Sequence, residues 1–132
     1  MRKDLLQKRG FAFAISFVLT ILLLRLFLYL SPFVNLNLGR YNVHHLFLGA
    51  LLLVIVFILL MMNISGLVVF IVGGIASGLV VDELVYLIFT DGSDWSYLTA
   101  VSLWGSMGLG LLVLVFLGIL YFYQNKKKIR TY

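Results

Sequence analysis

Five ionisable side chains fall within or at the ends of long apolar stretches in this 132-residue chain: Arg25, His44, His45, Asp82 and Glu83. The chain holds only two histidines and five acidic residues, so both histidines and two of the acids share this setting. Imidazole and carboxylate together support two kinds of chemistry. They can ligate zinc or another first-row divalent ion, or they can move protons, as a His–Asp pair does in general acid–base catalysis. A third arrangement is purely structural: Arg25 neutralises one carboxylate while the histidines hydrogen-bond the other at a helix end. Charged groups in hydrocarbon cost about 2.5–3.5 kcal/mol each at mid-span on insertion scales, so each must be paired, hydrated or turned inward.

Their heights follow from the spacing. The second and third apolar stretches form a helical hairpin about a turn near Asn63-Ile64-Ser65-Gly66. His45 lies about 19 residues before the turn centre and Glu83 about 19 after it, which puts both roughly 28 Å above the turn at 1.5 Å per residue. His44 and Asp82 each differ by one residue. Arg25 sits about 21 Å along the first span on the same scale, and its long stem can snorkel into the layer. Asp82 continues the Gly74–Gly78 stripe and is expected to face the bundle. His45 shares a face with Gly49, whose missing side chain leaves room for a neighbour. The first pairing expected is therefore His45 with Asp82, the candidate catalytic residues; His44, His45, Asp82 and Glu83 are the candidate metal ligands, and Arg25 is the charge partner. His44 and Glu83 either complete the site or point to water. At the start of a helix the positive dipole end favours neutral imidazole over imidazolium, while a nearby carboxylate pulls the other way.

Four apolar segments must position these groups: residues 11–30, 44–62, 67–89 and 99–123. Ser31-Pro32 stops the first, since proline cannot continue a helix. Asp91-Gly92-Ser93-Asp94 separates the third from the fourth. Each segment is near the ~20 residues needed to cross about 30 Å of hydrocarbon. The apolar residues run continuously without a period of two, which excludes a β-barrel. The expected fold is an all-α membrane protein, residues 1–132 forming one domain of four transmembrane helices in a compact up-down bundle.

Composition supports this. The chain is 63% hydrophobic and 11% charged, with a mean hydropathy of +1.12, too apolar for a soluble domain of this size. The net charge of +5 is concentrated at the ends: Arg2, Lys3, Lys8 and Arg9 before the first span, and Lys126, Lys127, Lys128 and Arg130 after the last. Basic clusters flanking apolar spans set topology and attract anionic headgroups rather than nucleic acid. Both termini are expected in the cytoplasm and the protein in the plasma (cytoplasmic) membrane. The single Arg40 of the first connection, and Asp91 and Asp94 of the third, fall outside. Aromatics mark both boundaries: Tyr121, Phe122 and Tyr123 inside; Tyr29, Phe33, Tyr41, Trp95 and Tyr97 outside. The first apolar run is longer than a signal peptide's core and no small-x-small cleavage site follows, so it reads as a retained helix. Asn63-Ile64-Ser65 matches a glycosylation acceptor but lies in a cytoplasmic turn.

Absences narrow the chemistry. With no cysteine there is no disulfide, thiolate metal site or iron–sulfur ligation. No P-loop, G-x-G-x-x-G, G-x-S-x-G or H-E-x-x-H occurs, so nothing points to a nucleotide or flavin. A haem clamped by the adjacent histidines would need a dimer. The cofactor left open is a divalent metal.

Small residues recur at helical spacing: Gly74 and Gly78 with Gly73 and Ser77 alongside in the third segment, and Ser102, Ser106 and Gly110 in the fourth. Such stripes let helices approach closely in lipid. They serve either internal packing or docking of other membrane helices.

The run His44-His45-x-x-x-Gly49, followed about 30 residues on by Gly74-x-x-x-Gly78-x-x-x-Asp82-Glu83, resembles a pattern in uncharacterised small bacterial and archaeal integral membrane proteins. The resemblance covers the hairpin, somewhat under half the chain. It implies a recurrent structural unit and carries no activity with it. Three functions therefore stand side by side: a membrane-embedded site near the extracytoplasmic face that binds a metal or proton or acts on an outer-leaflet substrate; an accessory subunit that binds other membrane proteins through its glycine and serine faces; and a small homo-oligomeric transporter, weakened by the absence of an internal repeat.

Overall fold

The computed structural model describes residues 2–31, 37–38, 41–42 and 44–129. Its helices are α1 (Arg2–Leu30), α2 (His45–Met61), α3 (Leu67–Phe89), α4 (Asp94–Tyr97) and α5 (Ala100–Ile129); a two-residue antiparallel ladder, β1 (Asn37–Leu38) with β2 (Tyr41–Asn42), lies between α1 and α2. The expectations placed on Pro32, Phe33, Arg40 and Arg130, and on the side chains of Arg2, Lys3, Tyr41, Asp94, Lys127 and Lys128, lie outside the described residues.

Among the described residues three helical stretches are long and apolar enough to cross a membrane: Gln7–Leu30, Leu67–Phe89 and Ala100–Tyr123. Helix α2 is apolar but has 17 residues, about 26 Å at the standard rise. Two helices outrun the apolar segments read from sequence. Helix α1 starts at Arg2 and α5 continues to Ile129, because the basic flanks are rich in helix formers and no proline separates them from the apolar run, Gly10 being carried within α1.

Helix α3 is the centre, packing against α1, α2 and α5, while α1 and α5 touch only lightly. Backbones meet where side chains are missing. A Cβ added to Gly74 would overlap Ser16 Oγ and the Phe13 carbonyl of α1, and one added to Gly78 would come 2.8 Å from Thr20 Cβ. On the other flank, a Cβ on Gly49 of α2 would sit 2.8 Å from the Ala76 carbonyl oxygen of α3. With no hydrophobic drive between helices in lipid, such close approach supplies the packing energy. Phe17, Ile21 and Val81 form the buried core, flanked by Phe13, Val18, Leu109, Val113 and Leu114.

The α2–α3 turn has a definite cause. Asn63 takes a left-handed φ of 60°, a conformation that asparagine tolerates better than most residues. The Ile64 amide then donates to the Leu59 carbonyl at 2.9 Å and the Asn63 amide to Leu60 at 3.0 Å. This pair of bonds closes α2 and satisfies carbonyls that would otherwise be orphaned. The resulting register sets His45 against the Asp82–Glu83 end of α3.

Candidate functional site

The site lies where the C-terminal ends of α1 and α3 meet the N-terminal ends of α2 and α5. Asp82 is 0% exposed and Glu83 2%. Two carboxylates removed from water in this way require partners, and each has a different set.

Asp82 belongs to Arg25. The Arg25 Nε donates to Asp82 Oδ1 at 2.5 Å, and one terminal nitrogen donates to the Asp82 carbonyl at 3.0 Å. The other terminal nitrogen donates to the Tyr97 carbonyl at 2.9 Å and to Ser102 Oγ at 3.0 Å. A guanidinium presents five donors in a rigid fork, and here they join α1, α3, α4 and α5. The Tyr97 hydroxyl donates to Asp82 Oδ2, and the Tyr97 ring lies under the guanidinium with its centroid 4.1 Å from Arg25 Cζ, a cation–π geometry. Burial and, next, the adjacent Asp82 charge push the Tyr97 phenol well above its usual range, which keeps it a donor.

Glu83 belongs to α2. Its Oε2 accepts from the Leu46 backbone N–H at 2.6 Å, and Oε1 is bonded to His44 Nδ1. The Leu46 amide is one of the first donors of α2, which intrahelical bonding cannot satisfy. His44, the N-cap residue, offers no side-chain cap, so a carboxylate from α3 does the capping. Its negative charge also sits at the positive end of the α2 dipole.

His45 stands between the two carboxylates. Its Nδ1 is 3.2 Å from Glu83 Oε2 and its Nε2 is 3.3 Å from Asp82 Oδ2. The Nε2 atom is buried and has no hydrogen-bond partner of good geometry. The Tyr97 ring meets the imidazole edge-on, centroids 6.1 Å apart. His44, Arg25, Asp82, Glu83 and Tyr97 are thus the charged and titratable groups around it.

The candidate residues are therefore distributed as follows. Arg25, His44, His45, Asp82 and Glu83 come together in one cluster. Asp82, however, takes Arg25 and Tyr97 as its direct partners, and His45 makes only ion-pair distances to both acids. Among the described residues no group of three or more His, Cys, Asp or Glu side chains is disposed to hold a metal ion. Gly49, Gly74 and Gly78 lie buried at helix contacts within the chain, as do Ser106 and Gly110. Ser102, read as a packing residue, is also an Arg25 acceptor.

Two contributors escape the sequence reading: Tyr97, assigned there to the aromatic boundary, and the Leu46 amide. The loop explains Tyr97. Asp91 Oδ1 accepts from the Ser93 amide at 3.1 Å and its hydroxyl at 2.8 Å; these bonds, the backbone one first, hold the Asp91 carboxyl below its usual range. Gly92 takes a φ of +73°, available to glycine without strain, and its carbonyl accepts from the Tyr86 hydroxyl at 2.5 Å. Ser93 caps α4, accepting from the Ser96 amide. The loop is thus folded back on α3, and α4 delivers Tyr97 inward. The D-G-S-D run, with its turn chemistry, was the available signal.

No protein-family model matches the chain, and no curated protein or solved structure matches it either. The site's own geometry therefore carries the functional reading.

Proposed function

We propose that this is a four-span membrane protein with both termini cytoplasmic, whose His/carboxylate cluster near the extracytoplasmic face binds a proton. Helix α2 serves as the fourth span. It is short for that role by about 4 Å, and the polar layer at its start lies at the membrane boundary, where a short span is compensated.

One observation supports the proton reading above all: both ring nitrogens of His45 lie within ion-pair distance of carboxylate oxygens, at 3.2 and 3.3 Å. Neutral imidazole carries a proton on one nitrogen only; imidazolium carries one on each, with a positive charge that carboxylates on both sides attract. The charge count points the same way. Two carboxylates, Asp82 and Glu83, stand against one guanidinium, Arg25, which leaves the cluster room for one further positive group. Imidazole is the side chain that ordinarily changes charge between about pH 5 and 8. A divalent ion is the less favoured occupant, since Arg25 and Tyr97 already occupy both Asp82 oxygens.

The function that follows is proton-dependent holding of α2. That helix packs on α3 and is tied to it at the cluster by His44, His45 and the Glu83 cap. Loss of the His45 proton leaves an excess negative charge at the joint and loosens it. Hydrogen exchange of the α2 amides, corrected for intrinsic rate, tests this: protection falls as pH rises in the native protein and falls less in His45→Gln. Protection that does not change with pH in the native protein defeats the proposal.

A further inference from the structure

At the other end of the bundle, where α1 and α5 diverge over α3, a groove of about 790 Å³ opens, lined among others by Lys8, Phe11, Phe70, Leu117, Gly118 and Tyr121. That volume lies in the range of about 300–1,000 Å³ typical of small-ligand pockets. Gly10 of α1 and Gly118 of α5 are among its lining residues, and a Cβ added to either would meet nothing within 4 Å. The Gln7 amide donates to the Tyr121 hydroxyl, bridging the two walls at the basic end. The walls are otherwise almost entirely hydrocarbon.

The described charged side chains at this end are basic. Lys8 lines the groove and is exposed. The Arg9 guanidinium lies 5.4 Å from the ring centre of Phe70, itself a lining residue. Lys126 stands exposed farther along α5. No acidic residue occurs in the described lining. An apolar channel with cations at its mouth matches an amphiphile with a hydrocarbon tail and an anionic head.

We propose that this groove holds one acyl chain of an anionic phospholipid, with the lipid phosphate at Lys8 and Arg9. The inference rests on the membrane reading of the chain and not on the proton site. Basic residues near a headgroup each favour an anionic lipid by about fivefold, so two of them yield a preference well above tenfold.

The test is native mass spectrometry of the full chain in detergent, titrated with phosphatidylglycerol or phosphatidylcholine of identical chains. The expected result is one retained phosphatidylglycerol with at least tenfold preference, falling to near parity in the Lys8→Gln/Arg9→Gln double variant. Gly118→Trp, which fills the groove, removes retention of both lipids, whereas Gly108→Trp, outside the groove, leaves it intact; circular dichroism checks that each variant is folded. Equal retention of the two lipids by the native protein overturns the proposal, as does an anionic preference unchanged in the double variant. A lipid-free dimer, with a second copy covering the groove, overturns it as well. Because none of these readouts involves His45, a failed proton site and a failed lipid site remain distinguishable.

Discussion

The Arg25 guanidinium stacks on the Tyr97 ring at 4.1 Å, while the hydroxyl of that tyrosine bonds Asp82, the carboxylate that Arg25 itself pairs with. Three side chains from three helices thus close on one another, and Ser102 of α5 adds an acceptor from a fourth. The closure makes Arg25–Asp82 the joint of α1, α3, α4 and α5.

Breaking that joint from one side leaves a charge buried without its partner, which costs about 3–5 kcal/mol. Asp82→Leu is therefore expected to destabilise the protein severely in detergent unfolding. The double variant Arg25→Met/Asp82→Leu recovers a large part of the loss, because no lone charge remains. A double variant no better than the single one would show that the pair is not the source of the stability.

Close packing of α1 on α3 depends on Gly74. Gly74→Leu forces the helices apart and is expected to cost about 1–3 kcal/mol or more, read as a lower midpoint of thermal unfolding in detergent. Gly108→Leu on the open face of α5, where an added Cβ meets nothing, is the matched control and is expected to unfold like the native protein.

Tyr97 predicts an alkaline effect. Its phenol is raised above the ordinary value of 10.0, chiefly by burial. Above that pH the unfolded chain releases the proton while the folded protein retains it, so the folded state loses stability as pH rises. Native protein is expected to lose stability progressively above about pH 10, and the loss contributed by this group disappears in Tyr97→Phe. An identical alkaline slope in both would remove Tyr97 from the network.

Much of this arrangement is legible in the spacing, because a helix advances by a fixed 1.5 Å per residue. Counting from the Asn63 turn is enough to bring His44, His45, Asp82 and Glu83 to one height, and the reach of an arginine stem adds Arg25. Rotation is harder to read. Adjacent Asp82 and Glu83 diverge by about 100°, and which acid faces α1 and which faces α2 depends on how three helices settle around α3. Glu83 capping α2 through the Leu46 amide involves a backbone donor, which leaves no mark on residue type. Tyr97 resembles any boundary aromatic until the Asp91–Ser93 turn folds α4 inward. The apolar length of α2 is ambiguous for a related reason: 17 residues suit a short span or a buried core helix equally, so its role depends on its surroundings.

The orientation can be mapped directly, since the chain has no cysteine of its own. Single cysteines at Ser31 and Trp95 are expected to react with an impermeant maleimide added outside intact cells. Cysteines at Ile64 and Lys126 are expected to react only after permeabilisation. Labelling of Ile64→Cys from outside would contradict the four-span arrangement.

The central claim is that the cluster takes its proton on His45, and imidazole nitrogen-15 NMR in bilayers measures this directly. Both ring nitrogens of His45 are expected to be protonated at the acid end of a pH titration, with a single proton lost toward the alkaline end and the low-pH signal abolished in Glu83→Gln, which leaves the Arg25–Asp82 joint intact. A His45 ring that stays neutral in one tautomer across that range, in protein that remains folded, would contradict it.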